Sequence, residues 1–177
     1  MPVFELVPFS SDELPNITIT GSAERMGSKL SIQYKVDGDV KQIIYPAASN
    51  PPTREDDLWK ATCFEFFLAV TDQPYYWEFN MSPSGNWNVY KMDAYRQVNM
   101  REEPVFTKLP FEFKSNKINS TLNISVKLDS IIQTSQNLEI GIATIIQTKD
   151  GNETYWALSH PEPQADFHLR KSFVLYL

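Results

Sequence analysis

The chain has 177 residues, a length that one domain with a substantial core accounts for, so we take residues 1–177 as a single domain. Its net charge of −6 argues against a nucleic-acid-binding role, because that affinity depends on Lys and Arg neutralising phosphates, and it disfavours anionic membrane surfaces. Aromatic residues make up 13 % of the chain, and 12 prolines stand against 6 glycines, which favours strands over long helices.

The N-terminal segment, residues 1–15, has no basic region followed by an apolar run. No stretch approaches the ~20 apolar residues that a membrane-spanning helix needs. We therefore expect a cytoplasmic protein with neither a signal peptide nor a transmembrane segment. Cys63 is the only cysteine, so an intrachain disulfide and a Cys-rich zinc site are excluded, and its place in a strand predicts a buried, inert thiol.

The first third of the chain predicts a hairpin, a short strand and a long loop. Asn16–Ala23 and Lys29–Val36 alternate polar and apolar residues, which is typical of paired strands. Lys41–Tyr45 follows an Asp-Gly-Asp turn and predicts a third strand. Pro46–Asp57 is rich in proline and acidic residues, and it predicts a loop that leads to Trp59.

A meander of three strands follows, and the rest of the chain is organised around it. Leu58–Val70, Tyr75–Met81 and Trp87–Tyr95 are separated by the turn sequences Thr-Asp-Gln-Pro and Ser-Pro-Ser-Gly-Asn. Alternation sends apolar side chains to one face and polar and aromatic ones to the other. The residues predicted on this second face are Glu65, Tyr76, Glu78, Asn80, Asn88 and Tyr90. A polar and aromatic face in the middle of a sheet predicts a ligand site.

The remaining segments complete an all-β pattern. Val98–Pro110 is irregular. The predicted elements after it are strands at Phe111–Ser115, Thr121–Leu128, Leu138–Thr148, Thr154–Leu158 and Lys171–Leu177, one helical turn at Leu128–Gln133, and a Pro-rich loop at Ser159–His168. Roughly ten short strands separated by turn signals predict an antiparallel, jelly-roll-like β-sandwich with at most one short helical turn. A simple meander and an open barrel remain as alternatives.

Several short motifs resemble a known group of domains. Cys63–Leu68 (CFEFFL) is similar to a strand with a Glu before a hydrophobic-Phe pair, and Tyr76–Gly85 (YWEFNMSPSG) is similar to the pattern Y-x-F-x-x-N-P-x-G. Together with Trp156–Leu158 and Phe167–His168, these motifs resemble the family 9 carbohydrate-binding modules and the wider DOMON-like superfamily over most of the chain. In these families an acidic residue usually stands just before the strand that carries the Glu. In this chain the corresponding position is occupied by Ala61, Thr62 or Cys63.

The resemblance implies a non-catalytic β-sandwich that binds a carbohydrate or another small polar ligand. In some branches of the superfamily the ligand is haem, held by Met and His. This chain offers Met81 or Met92 with His160 or His168 for that role. Carbohydrate is the leading expectation, and no cofactor is expected to be required.

A sugar site needs flat aromatic faces for the ring and carboxylates or amides for the hydroxyl groups. The candidate aromatic platforms are Trp59, Tyr76, Trp87, Tyr90 and Trp156. The candidate hydrogen-bonding residues are Glu65, Glu78, Asn80, Asn88, His168 and Arg170. The alternative is that the tryptophans belong to the core and that the two glutamates form cross-strand ion pairs.

The sequence leaves three further functions open. Glu65 and Glu78 lie on consecutive strands and could form the carboxyl pair of a jelly-roll glycoside hydrolase, which needs a separation of ~5–5.5 Å or ~6.5–9.5 Å. The acidic run Glu55–Asp57 could bind calcium through oxygen atoms, or be a solvated loop. An exposed apolar patch in place of a polar groove would instead indicate a protein-interaction module.

Overall fold

The computed structural model describes residues 2–11, 13–95 and 100–177, and this part of the chain forms twelve β-strands and three 3-10 helices. The strands are β1 (Val3–Pro8), β2 (Ile17–Met26), β3 (Lys29–Gly38), β4 (Cys63–Val70), β5 (Tyr76–Met81), β6 (Trp87–Met92), β7 (Arg101–Glu102), β8 (Phe111–Ser115), β9 (Asn119–Lys127), β10 (Leu138–Gln147), β11 (Glu153–Ala157) and β12 (Leu175–Tyr176). The 3-10 helices are Val40–Gln42, Leu58–Lys60 and Arg170–Ser172. The expected all-β class is confirmed. Within the described residues no helix could cross a membrane, and the cytoplasmic location stays a prediction.

The strands pair antiparallel in two layers of one curled sheet. Sheet I has the order β1-β2-β3-β9-β8, and sheet II has the order β7-β6-β5-β4-β10-β11, with β12 also paired to β10. Strand β1 joins the layers, because Val3–Leu6 pairs with β2 while Val7 and Pro8 pair with β11. This arrangement is a β-sandwich.

The main apolar core lies between the two sheets. Phe66 of β4 stacks on Phe79 of β5 with ring centroids 4.2 Å apart, and Phe64 meets Tyr34 of β3 edge to face at 5.3 Å. The hydroxyl of Tyr34 donates a hydrogen bond of 2.8 Å to the backbone carbonyl of Glu65. A buried phenol needs such a partner, so this bond fixes the middle of β4 to the opposite sheet. The period of two then turns the Glu65 side chain away from this core.

The outer face of sheet II is covered as well. A smaller apolar cluster lies on it and contains Phe67, Ala69, Tyr76, Tyr90, Met92, Ala143, Ala157 and Phe173, with Trp59 and Phe167 packed against it. The cover comes from the helix Leu58–Lys60 on one side and from the C-terminal segment on the other. Gly141 of β10 allows the close approach, because a Cβ there would stand 2.7 Å from Cδ1 of Phe173.

Some segments differ from the sequence prediction. Strand β1 was not predicted, since its partners β2 and β11 lie in distant parts of the chain. Lys41–Tyr45 was predicted as a strand, but it contributes to a 3-10 helix and a single bridge from Ile43 to Thr148. Lys171–Leu177 was predicted as one strand, but only Leu175–Tyr176 pairs, because the preceding 3-10 helix turns Phe173 onto sheet II.

Other predicted segments keep their place with altered detail. The start of the predicted strand Leu58–Val70 is a 3-10 helix that carries Trp59. The predicted helical turn at Leu128–Gln133 is a hydrogen-bonded turn in which the amide of Ile132 donates to the carbonyl of Leu128 at 2.8 Å. Residues 98 and 99 of the predicted irregular segment lie outside the described residues.

Candidate functional site

Cross-strand register brings the predicted polar residues together on the outer face of sheet II. One row across the strands is Glu65, Asn80 and Asn88, and the next is Phe67, Glu78 and Tyr90. Neighbours within a row are direct cross-strand partners, and the rows are two residues apart along each strand. Glu65 and Glu78 are therefore diagonal neighbours, which is close enough for long side chains to interact.

A cavity of about 290 Å³ lies over the β4 side of these rows. We call it the carboxyl pocket, and its lining residues are Trp59, Glu65, Phe67, Glu78, Met100, Ile145, Tyr155, Ala165, Asp166, Phe167 and His168. The β10 residues paired with this part of β4 are small, since Ala143 is the partner of Glu65 and Gly141 the partner of Phe67, and Phe173 packs over Gly141. Three of the predicted candidates besides Glu65, namely Trp59, Glu78 and His168, line the same cavity.

The two glutamates of the carboxyl pocket are buried without complete hydrogen bonding. Glu65 is 2 % exposed and Glu78 is 3 % exposed. In the described part of the chain, the buried side-chain atoms with no hydrogen-bond partner are Glu65 Oε1, Glu78 Oε2, Asn80 Oδ1 and Thr144 Oγ1. Leaving such atoms unpaired costs free energy, and folded proteins rarely do so without a functional reason. A wider depression of about 580 Å³ against sheet I has none of these four atoms in its lining.

The environment changes the acidity of both carboxyl groups. Burial raises the pKa of Glu65 well above its ordinary value of 4.5, the charge of Glu78 raises it further, and a hydrogen bond from Cys63 opposes the change. Burial also raises the pKa of Glu78, whereas the charge of His168 and a hydrogen bond from Asn80 lower it. Two adjacent buried carboxyl groups cannot both ionise cheaply. We therefore expect this pair to hold a proton at a pH where exposed glutamates have lost theirs.

His168 enters the site from the C-terminal segment. Its Nδ1 lies 2.9 Å from the hydroxyl of Tyr76, and its ring packs edge to face against Phe67 at 5.2 Å. Its Nε2 lies 3.8 Å from Oε2 of Glu78, which is an ion-pair distance but too long for a hydrogen bond. Tyr76 itself is buried below this contact, so the structure gives it a supporting position and leaves His168 at the pocket wall.

Asn88 and Tyr90 belong to a separate group of hydrogen-bonded side chains. We call this group the β6 network, and its members are Arg54, Glu55, Asp56, Asn86, Asn88 and Tyr90. Nδ2 of Asn88 lies 2.8 Å from the Tyr90 hydroxyl and 3.1 Å from Oδ1 of Asp56, while its Oδ1 accepts from Nη1 of Arg54 at 2.8 Å. The Tyr90 hydroxyl donates to Asp56. Neither Asn88 nor Tyr90 lines the carboxyl pocket, so the structure does not bring these two candidates together with Glu65 and Glu78 in that cavity.

The acidic run that was considered for calcium takes part in these and similar bonds. Glu55 accepts from the side-chain amide of Asn86, Asp56 accepts from Tyr90, and Asp57 pairs with Lys60 at 2.6 Å. Over the described residues, no group of three or more His, Cys, Asp and Glu side chains is placed to hold a metal ion. The structure thus gives this run hydrogen-bonding partners within the protein.

Trp87 and Trp156 lie in the core between the sheets, on the face opposite the carboxyl pocket. They are 5 % and 4 % exposed. The guanidinium of Arg54 stacks on Trp87 at 4.5 Å from the ring centroid, and Nε1 of Trp156 donates to Thr154 at 3.0 Å. The structure therefore corrects their assignment as aromatic platforms, and the alternative that they are core residues holds.

Two more candidate ligand-binding residues, Arg170 and Asn80, form hydrogen bonds to other residues of the protein. Arg170 donates from Nε to Glu139 at 2.6 Å, and its Nη atoms donate to the backbone carbonyls of Gln73 and Val70 at 2.9 and 2.8 Å. These bonds fix the C-terminal segment to the end of β4, and Arg170 is not part of the pocket lining. Asn80 is buried beneath the pocket, where its Nδ2 donates to Oε1 of Glu78 at 2.9 Å.

The residues considered for haem are not gathered at one place. Met81 is buried in the core between the sheets, and Met92 belongs to the outer apolar cluster but not to the pocket lining. Nε2 of His160 lies 3.0 Å from the backbone carbonyl of Val7. Of the four residues considered, His168 is the one placed at the carboxyl pocket.

Several pocket residues were missed from the sequence. Ile145 and Tyr155 come from β10 and β11, and Phe167 comes from the C-terminal segment. Phe67 shares the outer face with Glu65 by alternation, so the sequence did carry a signal for it. The other three depend on β4 pairing with β10, which is a contact between distant segments that alternation does not specify.

Comparisons with known proteins give a fold neighbour and no family. No protein-family model matches the chain, and no curated protein matches it. A solved structure of a protein from Bacteroides uniformis ATCC 8492, described as a proposed carbohydrate-binding protein, matches with a TM-score of 0.74 at 13 % identity, over 98 % of this chain and 84 % of that one. At this identity the match shows a shared fold. The resemblance to family 9 and DOMON-like domains stays a prediction.

Proposed function

We propose that this protein is a non-catalytic carbohydrate-binding β-sandwich and that the carboxyl pocket is its binding site. The observation that carries the proposal is that Glu65 and Glu78, each with one buried oxygen atom that has no hydrogen-bond partner, line a cavity together with the aromatic rings of Trp59, Phe67, Tyr155 and Phe167. Sugar hydroxyl groups donate to carboxyl oxygens, and the apolar face of a sugar ring packs on aromatic side chains such as Trp59.

The size of the pocket favours a small ligand. Its volume of about 290 Å³ lies just below the range of ~300–1,000 Å³ that small-molecule sites occupy. We therefore expect a monosaccharide, or the terminal ring of a longer chain, in preference to an extended polysaccharide. Trp59 from the Leu58–Lys60 helix and Phe167 from the C-terminal segment both line this cavity.

The fold neighbour supports the class of ligand. The protein from Bacteroides uniformis has the same fold over nearly the whole chain and is described as a proposed carbohydrate-binding protein. The likeness supports binding rather than catalysis, and it leaves the identity of the sugar to experiment.

Binding to a glycan array, followed by calorimetric titration of the best ligand, tests the proposal. We expect Glu65→Gln and Trp59→Ala each to weaken binding about tenfold or more, since each removes a contact that the ligand needs. Glu112→Gln and Tyr176→Ala are the matched controls, because Glu112 and Tyr176 are exposed residues outside the pocket lining. Binding that is unchanged in both pocket variants would refute the proposed site.

A glycoside hydrolase is the second candidate, and one observation favours it. Glu65 and Glu78 are coupled buried carboxyl groups with raised pKa values in a cavity, which is the environment of a general acid. A panel of aryl glycosides tests this function directly. Hydrolysis that is lost in Glu65→Gln would establish the enzyme, and turnover equal to the buffer rate would leave the binding function in place.

A further inference from the structure

We propose that the carboxyl pocket selects a cationic ligand, a protonated amine such as a free amino sugar, over its neutral counterparts. The inference deepens the proposed function and rests on it, because it concerns the same pocket and the same two glutamates. It specifies the chemistry of the group that the glutamates contact.

The unpaired polar atoms of the pocket residues are hydrogen-bond acceptors. Among the residues that line the pocket, the buried side-chain atoms without a hydrogen-bond partner are Glu65 Oε1 and Glu78 Oε2, and both are carboxyl oxygens. The described lining residues include no Lys and no Arg. An ammonium group has three donors and no acceptor, whereas a hydroxyl group brings lone pairs that also need donors. An acceptor-rich pocket is therefore better matched by an amine than by a hydroxyl group.

Aromatic rings line the pocket beside the two carboxyl groups. Trp59, Phe67, Tyr155 and Phe167 contribute rings to the same cavity that holds the two carboxyl groups. The face of an aromatic ring attracts cations, and Trp does so most strongly. Charge-assisted hydrogen bonds to a carboxylate are also about twice as strong as neutral ones. Rings and carboxyl oxygens thus favour the same sign of charge.

The negative charge of the two glutamates also favours a cation. Glu65 and Glu78 repel each other when both are ionised, and neither has a Lys or Arg partner within 4.0 Å among the described ion pairs. A bound ammonium between them would offset this repulsion and favour loss of the proton that the pair holds. We therefore expect amine binding to release a proton and to strengthen as the pH rises from 5 to 7, a range in which an amino group of this kind keeps its own proton.

Other titratable groups surround the pair on the neighbouring elements. They are Cys63 on β4, Tyr90 on β6 with Asp56 beside it, Tyr155 on β11, and Asp166 and His168 on the C-terminal segment. Burial raises the pKa of Cys63 and of Tyr90, and a hydrogen bond to Glu153 raises the pKa of Tyr155 to about 12, so these three stay neutral in that range.

The experiment is calorimetric titration of the full chain with matched ligands. The probes are glucosamine, galactosamine and mannosamine, each with its N-acetyl form and its parent sugar, together with cyclohexylamine and cyclohexanol. We expect at least one amino sugar to bind about tenfold or more tightly than both neutral forms. Titration in two buffers of different ionisation enthalpy measures the proton release. Glu65→Gln should reduce the preference for the amine to below about threefold, while Glu112→Gln should keep it.

The outcomes separate this inference from the proposed function. Neutral sugars that bind as tightly as the amino sugars would overturn the cationic preference and leave carbohydrate binding in place. Cyclohexylamine binding without any sugar binding would keep the cationic preference and refute carbohydrate binding. An amine preference that survives in Glu65→Gln and Glu78→Gln would refute the role of the glutamates. Absence of binding by every probe would overturn both proposals.

Discussion

The carboxyl pocket and the β6 network lie side by side on the same face of sheet II, and they use the same kinds of residue. In the β6 network, the amide of Asn88 and the hydroxyl of Tyr90 find partners in Arg54 and Asp56. In the carboxyl pocket, Glu65 and Glu78 each keep an oxygen atom without a partner. Two adjacent patches of one sheet therefore differ in whether their polar atoms are satisfied.

The difference shows what distinguishes a candidate site from a structural polar cluster. Burial alone does not, because Asn88 and Glu65 are both almost fully buried. The loop that contains Arg54 and Asp56 supplies partners at β6, whereas the helix with Trp59 and the C-terminal segment with Phe167 bring aromatic rings over β4 and leave a cavity. Stability should therefore depend on the β6 network, and ligand binding on the carboxyl pocket.

The largest effect is expected from Arg54→Met. Its guanidinium donates to Oδ1 of Asn88 and to the backbone carbonyls of Glu103 and Phe106, so its loss leaves three acceptors without this donor. We expect the free energy of unfolding to fall by about 3 kcal/mol, because hydrogen bonds to a charged group contribute ~1.5–3 kcal/mol each. The loss is less than the sum of three such bonds, since Asn88 Oδ1 still accepts from the amide of Val89 and the carbonyl of Glu103 from the amide of Phe106. Met retains an aliphatic contact with Trp87. Urea unfolding with an unchanged m-value is the measurement.

Arg101→Met is the matched control for this prediction. The Arg101 guanidinium bonds to Asp93 at 2.7 and 2.6 Å on the exposed surface, and exposed ion pairs contribute less than about 1 kcal/mol. Equal losses in the two variants would contradict the claim that the β6 network is a stabilising unit.

The second effect is a pH dependence that separates the wild type from Glu65→Gln. Folding raises the pKa of Glu65 above its ordinary value of 4.5, so above that pH the folded state holds a proton that the unfolded state has lost. The unfolded state then binds fewer protons, and the stability of the wild type falls as the pH rises toward the raised pKa. The slope for one proton is about 1.4 kcal/mol per pH unit.

Gln cannot ionise, so Glu65→Gln should gain stability relative to the wild type between pH 5 and 8. Glu65 and Glu78 interact, so both contribute to the pH dependence of stability. The change of the free energy of unfolding with pH that remains in Glu65→Gln measures the contribution of Glu78. Urea unfolding at several pH values measures the difference. Glu112→Gln, an exposed change beside Lys114, should run parallel to the wild type. A parallel curve for Glu65→Gln would show that the carboxyl pair is solvated.

Much of the fold follows from local sequence signals. The turns at Thr71–Pro74 and Ser82–Asn86 separate β4, β5 and β6 close to their observed ends, because Pro and Gly restrict the backbone within a few residues. Alternation also placed Glu65 and Glu78 on the same face. These features depend on neighbours in the chain, which a single sequence displays.

The candidate site was only partly predictable, for two physical reasons. All eight residues of β4 and all six of β5 are buried, so hydrophobicity does not distinguish two covered faces. Trp87, a candidate platform with a core position as the alternative, lies in the core. The walls also come from β10, β11 and the C-terminal segment, whose pairing with β4 is a long-range contact. Whether a buried polar side chain has a hydrogen-bond partner also depends on long-range contacts. Asn88 has such partners, whereas Oε1 of Glu65 has none.

The smallest effect is expected from Tyr90→Phe, which removes one hydroxyl from the β6 network. The free energy of unfolding should fall by about 1 kcal/mol, the usual net value of one hydrogen bond. The loss is small because the partners keep other contacts: Nδ2 of Asn88 also lies 3.1 Å from Asp56 and 3.0 Å from Glu102. Tyr155→Phe is the matched control, since its hydroxyl donates to Glu153 at the surface, and it should change stability by less than about 0.5 kcal/mol. If Tyr90→Phe cost as much as Arg54→Met, the network would have no such redundancy, and its polar atoms would be as poorly supported as those of the carboxyl pocket.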